Sequence, residues 1–199
     1  MTPIDFYFDF SSPYGYLGAE KIDDIAARHG RVVEWHPILL GVVFRATGGA
    51  PLTEIPIKGD YSKHDFARSA RFLGVPFKYP SRFPLATQNA ARAFLWLADR
   101  DQALAKNFAH AVYRACFAED IDISNTDNLL GIAGSMGIDR PGLQQAMGDP
   151  ALKERLRAQN DAALARGVFG SPFFFVDDEP FWGSDRLPQI EKWLETGGF

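Results

Sequence analysis

The residues best equipped for chemistry in this chain of 199 are hydroxyls and carboxylates; it has one cysteine. Ser11-Ser12-Pro13-Tyr14-Gly15 interrupts an aromatic run, Ile4-Asp5-Phe6-Tyr7-Phe8-Asp9-Phe10, and a helical pattern begins at the proline. Proline suits a first helical position and serine the cap before it. Ser12 therefore stands at a partly positive helix N-terminus, where a hydroxyl is a good hydrogen-bond donor to an anion. Three other groups stand out: Ser171-Pro172, Ser184-Asp185 after Gly183, and Lys58 with Tyr61, Asp65 and Arg68. The last three are spaced i, i+4 and i+7, so they share a helix face, with an internal Asp65–Arg68 ion pair. Cys116 lies in A-V-Y-R-A-C-F, a helical apolar pattern, and reads as a small core residue; a lone cysteine excludes an internal disulfide. The four histidines, at 29, 36, 64 and 110, show no metal-ligand spacing and read as structural.

The elements that must position these groups follow from periodicity. Residues 4–10 alternate like a strand, and 13–29 form a helix with Gly30 as its stop. Residues 31–40 form a second strand, parallel to the first through a right-handed crossover. Residues 41–57, rich in Gly and Pro, are expected to be a long loop and a pocket wall. From 58 to about 166 the patterns are helical: 61–73, 87–97, 104–117, 126–136, 141–147 and 150–166. Then come a β-hairpin over 168–183 with Asp177-Asp178-Glu179 at its turn, and a closing helix over 185–194, with Ser184 and Asp185 as its caps. The expected fold class is α/β, ordered β-α-β, helical insert, β-β-α. The domain division is 1–57 with 168–199, and 58–167 inserted between them.

Composition narrows the partners. Hydrophobic residues make up 46%, enough for a real core. The net charge of -4, with no basic run, argues against nucleic acid. The absence of a long apolar span and of a signal-like start gives the expectation of a soluble cytoplasmic protein with no membrane partner.

Four stretches carry a resemblance over nearly the whole chain: F-Y-F-D-F with S-S-P-Y-G-Y-L, K-G-D-Y-S-K-H-D-F-A-R at 58–68, G-V-F-G-S-P at 167–172, and F-W-G-S-D-R-L at 181–187. Together they resemble the 2-hydroxychromene-2-carboxylate isomerases and the kappa-class glutathione transferases, both thioredoxin-like and similar to bacterial disulfide oxidoreductases. The resemblance implies a thioredoxin-like fold with a large helical insertion, glutathione as cofactor and a homodimer. It places Ser12 where a redox relative carries its Cys-x-x-Cys and implies that its hydroxyl donates to the glutathione sulfur. It implies a cis-proline at Pro172, backbone pairing of Ser171 with the cysteinyl segment, Ser184 and Asp185 at the γ-glutamyl end, and Lys58 near the glycine carboxylate.

The activity implied is interconversion of a chromene carboxylate and a trans-o-hydroxybenzylidenepyruvate in aromatic breakdown. Reversible thiolate addition makes a double bond single so that it can rotate. Phe44, Phe77, Tyr79, Phe83 and Trp182 are candidate walls for the aromatic ring. Arg45 is the candidate carboxylate anchor, because the lysine and asparagine of the isomerases after the second strand are missing; no asparagine lies between Gly41 and Asp60. The alternatives are a kappa-like transferase that keeps the thioether and a non-catalytic glutathione-binding module. A dithiol oxidoreductase is rejected, since Gly15 holds the place of the second thiol.

Overall fold

The aromatic alternation at the start becomes the first strand, β1 (Ile4–Phe8), and the Ser-Pro cap starts helix α1 (Pro13–Arg28). Strand β2 (Val33–Pro37) pairs parallel to β1, with Phe6 opposite Trp35. Strand β3 (Phe173–Val176) pairs antiparallel to β1 on its other side, and β4 (Glu179–Trp182) antiparallel to β3. The sheet order is β2-β1-β3-β4. The computed structural model describes residues 2–199. Asp177 and Asp178 turn the β3–β4 hairpin with φ of 51° and 71°, the left-handed pair that a two-residue hairpin turn requires.

Between β2 and β3 run seven helices: α2 (Leu40–Thr47), α3 (Lys58–Leu73), α4 (Gln88–Ala98), α5 (Gln102–Phe117), α6 (Thr126–Ser135), α7 (Arg140–Gly148) and α8 (Pro150–Ala165). A 3₁₀ turn at Leu52–Glu54 separates α2 from α3. After β4 a second 3₁₀ turn, Ser184–Arg186, leads into α9 (Leu187–Thr196).

Three expectations from sequence need correction. Residues 41–57 are not a loop throughout, because α2 occupies most of the first half. Leu39 gives that helix no side-chain cap; its first amide, of Leu40, donates instead to the Asp9 carboxylate 2.6 Å away, a partner 31 residues upstream. Local sequence cannot advertise such a cap. Ser184 and Asp185 do not cap α9 with their side chains: they lie in the 3₁₀ turn before it, and the helix begins at Leu187. Both early strands are shorter than their apolar runs: at Asp9 the β1 chain turns, with the Ser12 amide donating to the Asp9 carbonyl, and β2 ends at Pro37 before α2 begins at Leu40.

Strand alternation sends side chains to two covered faces. On one, Phe6, Phe8 and Phe174 pack with α1, α9 and the aromatic faces of α4 and α5: Phe94, Phe108, Tyr113 and Phe117. On the other, Tyr7, Phe173 and Phe175 pack with Val43 of α2 and Ala163 of α8. The ring of Phe8 meets that of Phe94 edge-on at 5.3 Å, and Phe6 stacks on Phe174 at 5.1 Å. The largest core is thus continuous from the sheet into the helical block. Cys116 is fully buried within it, and burial pushes its thiol pKa up to about 12, so it is a poor nucleophile. Because the sheet and the helical block share this core, Phe94→Ala should remove about 3–5 kcal/mol of stability. The loss should appear in one urea transition, with far-ultraviolet circular dichroism and tryptophan fluorescence coincident.

Candidate functional site

The carboxyl end of β1, the N-terminus of α1, the β3 approach and the turn after β4 meet at one side of the sheet. Helices α2 and α3 and the segment 83–88 close over them. They enclose a cleft of about 1360 Å³. Its floor is Asp9, Ser11, Ser12, Pro13 and Tyr14; Gly170, Ser171 and residues 182–186 form one wall. The other walls are mostly apolar, including Leu40, Phe44, Leu52, Phe66, Phe83 and Leu85.

Ser12 is 4% exposed and does cap α1, accepting the Gly15 amide at 2.9 Å. Its own proton goes to the Ser171 carbonyl at 2.8 Å. The Ser171–Pro172 bond is cis, and a second cis bond, Phe83–Pro84, lies in the opposite wall. Gly15 is required by proximity: a methyl group there would lie 2.8 Å from Ser171 Oγ and 2.9 Å from the Tyr113 hydroxyl. In the first turn of α1, Pro13 has no amide hydrogen, Gly15 donates to Ser12 Oγ and Tyr16 to the Ser12 carbonyl. The Tyr14 amide is left with no acceptor among the described residues, and it is the natural donor to an anion at this helix end.

Asp9 was not singled out by sequence. It is 3% exposed, and its carboxylate accepts from the Ser11 amide at 2.8 Å, the Ser11 hydroxyl at 3.0 Å, the Thr87 hydroxyl at 2.7 Å and the Leu40 amide at 2.6 Å. Burial raises its pKa above the ordinary carboxylate value, and the bonds from Leu40, Ser11 and Thr87 work against that rise. Its backbone is equally engaged: its amide donates to Ser171 Oγ at 3.0 Å, and its carbonyl accepts the Tyr113 hydroxyl at 2.9 Å. Thr87, four residues after the cis bond, shares this fate of being visible only through Asp9. The only signal available in sequence was an acid at the end of an apolar strand, two residues before Ser11-Ser12.

Tyr14 was also missed. Its hydroxyl donates to Asp65 at 2.6 Å, and Arg68 of α3 bonds both Asp65 and the Tyr61 hydroxyl. Burial and then the Asp65 contact push the Tyr14 pKa well above the usual phenol value. For Asp65, partial burial raises the pKa, but Tyr14, Arg68 and Ser69 outweigh it and hold the carboxyl below its usual range. The Asp65–Arg68 pair expected from spacing is present, and Tyr61 and Asp65 line the cleft.

The other expected residues divide. Ser12, Ser171, Ser184, Asp185, Phe44, Arg45, Phe83 and Trp182 all line the cleft, with Pro172 directly behind Ser171. Ser184 is 7% exposed, and its hydroxyl makes no hydrogen bond among the described residues. Arg45 is exposed and its guanidinium Nε donates back to the Gly41 carbonyl at 3.2 Å. Trp182 is half-exposed at the rim, edge-on to Phe169. Lys58 is exposed at the first position of α3 and does not line the cleft. Phe77 and Tyr79 do not line it either; they pack with Phe117 and Phe66 behind the wall. Arg186, not singled out, does line it.

Comparison with known proteins adds an independent line. The family described as a DSBA-like thioredoxin domain matches residues 3–195. A 2-hydroxychromene-2-carboxylate isomerase of Sphingobium xenophagum is 37% identical over 193 residues, covering 96% of this chain and 97% of that protein. A glutathione S-transferase kappa 2 of Caenorhabditis elegans is 30% identical, covering 96% and 91%. Among solved structures, a 2-hydroxychromene-2-carboxylate isomerase superposes with a TM-score of 0.88 at 30% identity, covering 98% of this chain and 95% of that one.

Two outcomes test the site geometry. Asp9→Asn replaces one accepting oxygen with an NH2 group set against donors, and should cost about 1–3 kcal/mol in urea unfolding. Asp65→Asn removes the charge that opposes Tyr14 ionisation. Spectrophotometric titration, with Tyr14→Phe identifying the transition, should show the Tyr14 pKa falling towards 10.

Proposed function

This chain belongs to the DsbA-like thioredoxin family, in its 2-hydroxychromene-2-carboxylate isomerase branch, and on that premise we propose that it is a glutathione-dependent isomerase. Its reaction is the interconversion of 2-hydroxychromene-2-carboxylate and trans-o-hydroxybenzylidenepyruvate in the breakdown of aromatic compounds. The observation that carries this reading is the α1 N-terminus inside an apolar cleft: a hydroxyl and an unpaired amide converge there and no thiol is present. Glutathione, when bound, supplies the nucleophilic sulfur whose reversible addition lets a double bond rotate.

The residues present fit that group. The Tyr14 amide, the Ser12 hydroxyl and the α1 dipole favour a thiolate over a thiol, whose ordinary pKa is about 8.5. The Ser171 carbonyl at the cis bond suits strand-like pairing with a peptide segment. The unpartnered Ser184 hydroxyl and the Asp185 carboxylate suit an end that carries both an anion and an ammonium. Lys58, the cation proposed for the glycine carboxylate, is exposed at the start of α3 and outside the cleft lining.

Leu40, Phe44, Phe83 and Leu85 exclude water from an aromatic ring, with Trp182 at the rim and Arg45 as the carboxylate anchor. A kappa-like transferase reading is supported by the 30% identical relative and differs only in keeping the thioether. A homodimer in the cytoplasm accords with the family resemblance; no helix among the described residues is long and apolar enough to cross a membrane.

The test is a titration of bound glutathione by thiolate ultraviolet absorbance. Wild type should lower the thiol pKa, and Ser12→Ala should return it upward by about 1–2 units, the value of a hydrogen bond to a charged atom. Chromenecarboxylate isomerisation should exceed conjugation of chloro-dinitrobenzene in parallel assays and fall in the same variant. The opposite ranking would make the transferase reading the correct one. An unchanged pKa in Ser12→Ala would remove the assigned role of Ser12.

A further inference from the structure

The hydrogen bonds around Ser12 fix which of its atoms can serve a ligand. Its oxygen accepts from the Gly15 amide, and its proton is on the Ser171 carbonyl at 2.8 Å. A serine hydroxyl has one proton, so that proton cannot reach a sulfur while Ser171 holds it. Rotation about Cβ–Oγ would keep the Gly15 bond but strip the Ser171 carbonyl of its donor. Ser171 is only 8% exposed, and a buried carbonyl left unpaired is costly. The Tyr14 amide, by contrast, has no acceptor to give up. The helix end therefore offers one donor that is always available and one that is conditional.

We infer that the Ser12–Ser171 bond is a specificity device which admits peptidyl thiols and leaves simple thiols only partly activated. This rests on the glutathione reading above and deepens it. A thiol whose neighbouring amine is acylated carries a backbone N–H beside its sulfur. Paired in strand fashion, that N–H donates to the Ser171 carbonyl, which has two lone pairs and can receive it before Ser12 leaves. The Ser12 proton then turns onto the sulfur with its oxygen still held by Gly15. A thiol without the N–H gives Ser171 no substitute, so the hydroxyl stays where it is.

The surroundings keep this exchange local. The Asp9 amide holds Ser171 Oγ at 3.0 Å, the Ser12 amide holds the Asp9 carbonyl at 2.9 Å, and the Tyr113 hydroxyl holds that same carbonyl. The serine loop and the cis-proline loop are thus tied through one residue, and the hydroxyl can turn without a backbone shift.

The experiment compares glutathione with an analogue in which an ester oxygen replaces the cysteinyl N–H, on wild type and Ser12→Ala. Bound thiol pKa is read from thiolate absorbance at saturation, relative to each free thiol, with occupancy from calorimetry. In wild type the ester should be depressed less than glutathione by about 1–2 units. Its affinity should fall roughly 3- to 10-fold. In Ser12→Ala the two ligands should show the same depression, because both changes delete one bond and their effects do not add. Equal depression of both ligands by wild type, with glutathione raised in Ser12→Ala, overturns this inference and leaves the glutathione reading standing. An ester that fails to bind at any attainable concentration also overturns it, since one missing hydrogen bond weakens binding without abolishing it. A glutathione pKa unaffected by Ser12→Ala removes both.

Discussion

A carboxylate taken out of water must be held by donors, and at Asp9 those donors come from segments far apart in the chain. Ser11 lies two residues on, Leu40 begins the α2 wall, and Thr87 precedes α4. Through its backbone the same residue ties Ser171 and Tyr113. The start of α2, the segment before α4 and the cis-proline loop are therefore all referred to one point, the end of β1. The cost of burying this carboxyl group is offset because each of its oxygens accepts a hydrogen bond, in keeping with the rule that buried polar groups persist only when hydrogen-bonded. The apolar wall of α2 and the polar helix end of α1 cannot drift apart while this cluster is intact.

Beneath that point the aromatic core does the coarse positioning. Phe6, Phe8 and Phe174 bring the two central strands to the rings of α4 and α5, so the helical block and the sheet share one buried cluster. At the start of α1 the close approach decides the residue: a Cβ at Gly15 would meet Ser171 Oγ, Ser12 and the Tyr113 hydroxyl within 3.0 Å. Cys116, the single thiol of the chain, is sealed in the core.

What sequence made legible was local. The Ser12-Pro13 start of α1, its stop before Gly30, the Asp177-Asp178 hairpin and the Asp65–Arg68 pair all rest on interactions within a few residues. So does the alternation of β1, which marked it as a strand. The resemblance carried by four ordered motifs supplied the family, and the comparisons agree with it. Phe77 and Tyr79 show the limit: an aromatic residue near a pocket in sequence packs behind the wall as readily as on it.

Tertiary structure alone decided what caps α2, where the Ser12 proton lies, and which polar groups are left open. The α2 cap is a carboxylate 31 residues away, so the segment reads as loop until Asp9 is seen beside Leu40. The Ser12 proton goes to a carbonyl 159 residues on, which converts a simple helix cap into a conditional donor. By itself, then, the sequence determined a hydroxyl at a helix start and the order of elements around it, because caps and periodicity are short-range. The partner of that hydroxyl and the walls of its cleft depend on contacts between distant segments, and those exist only once the shared core has formed.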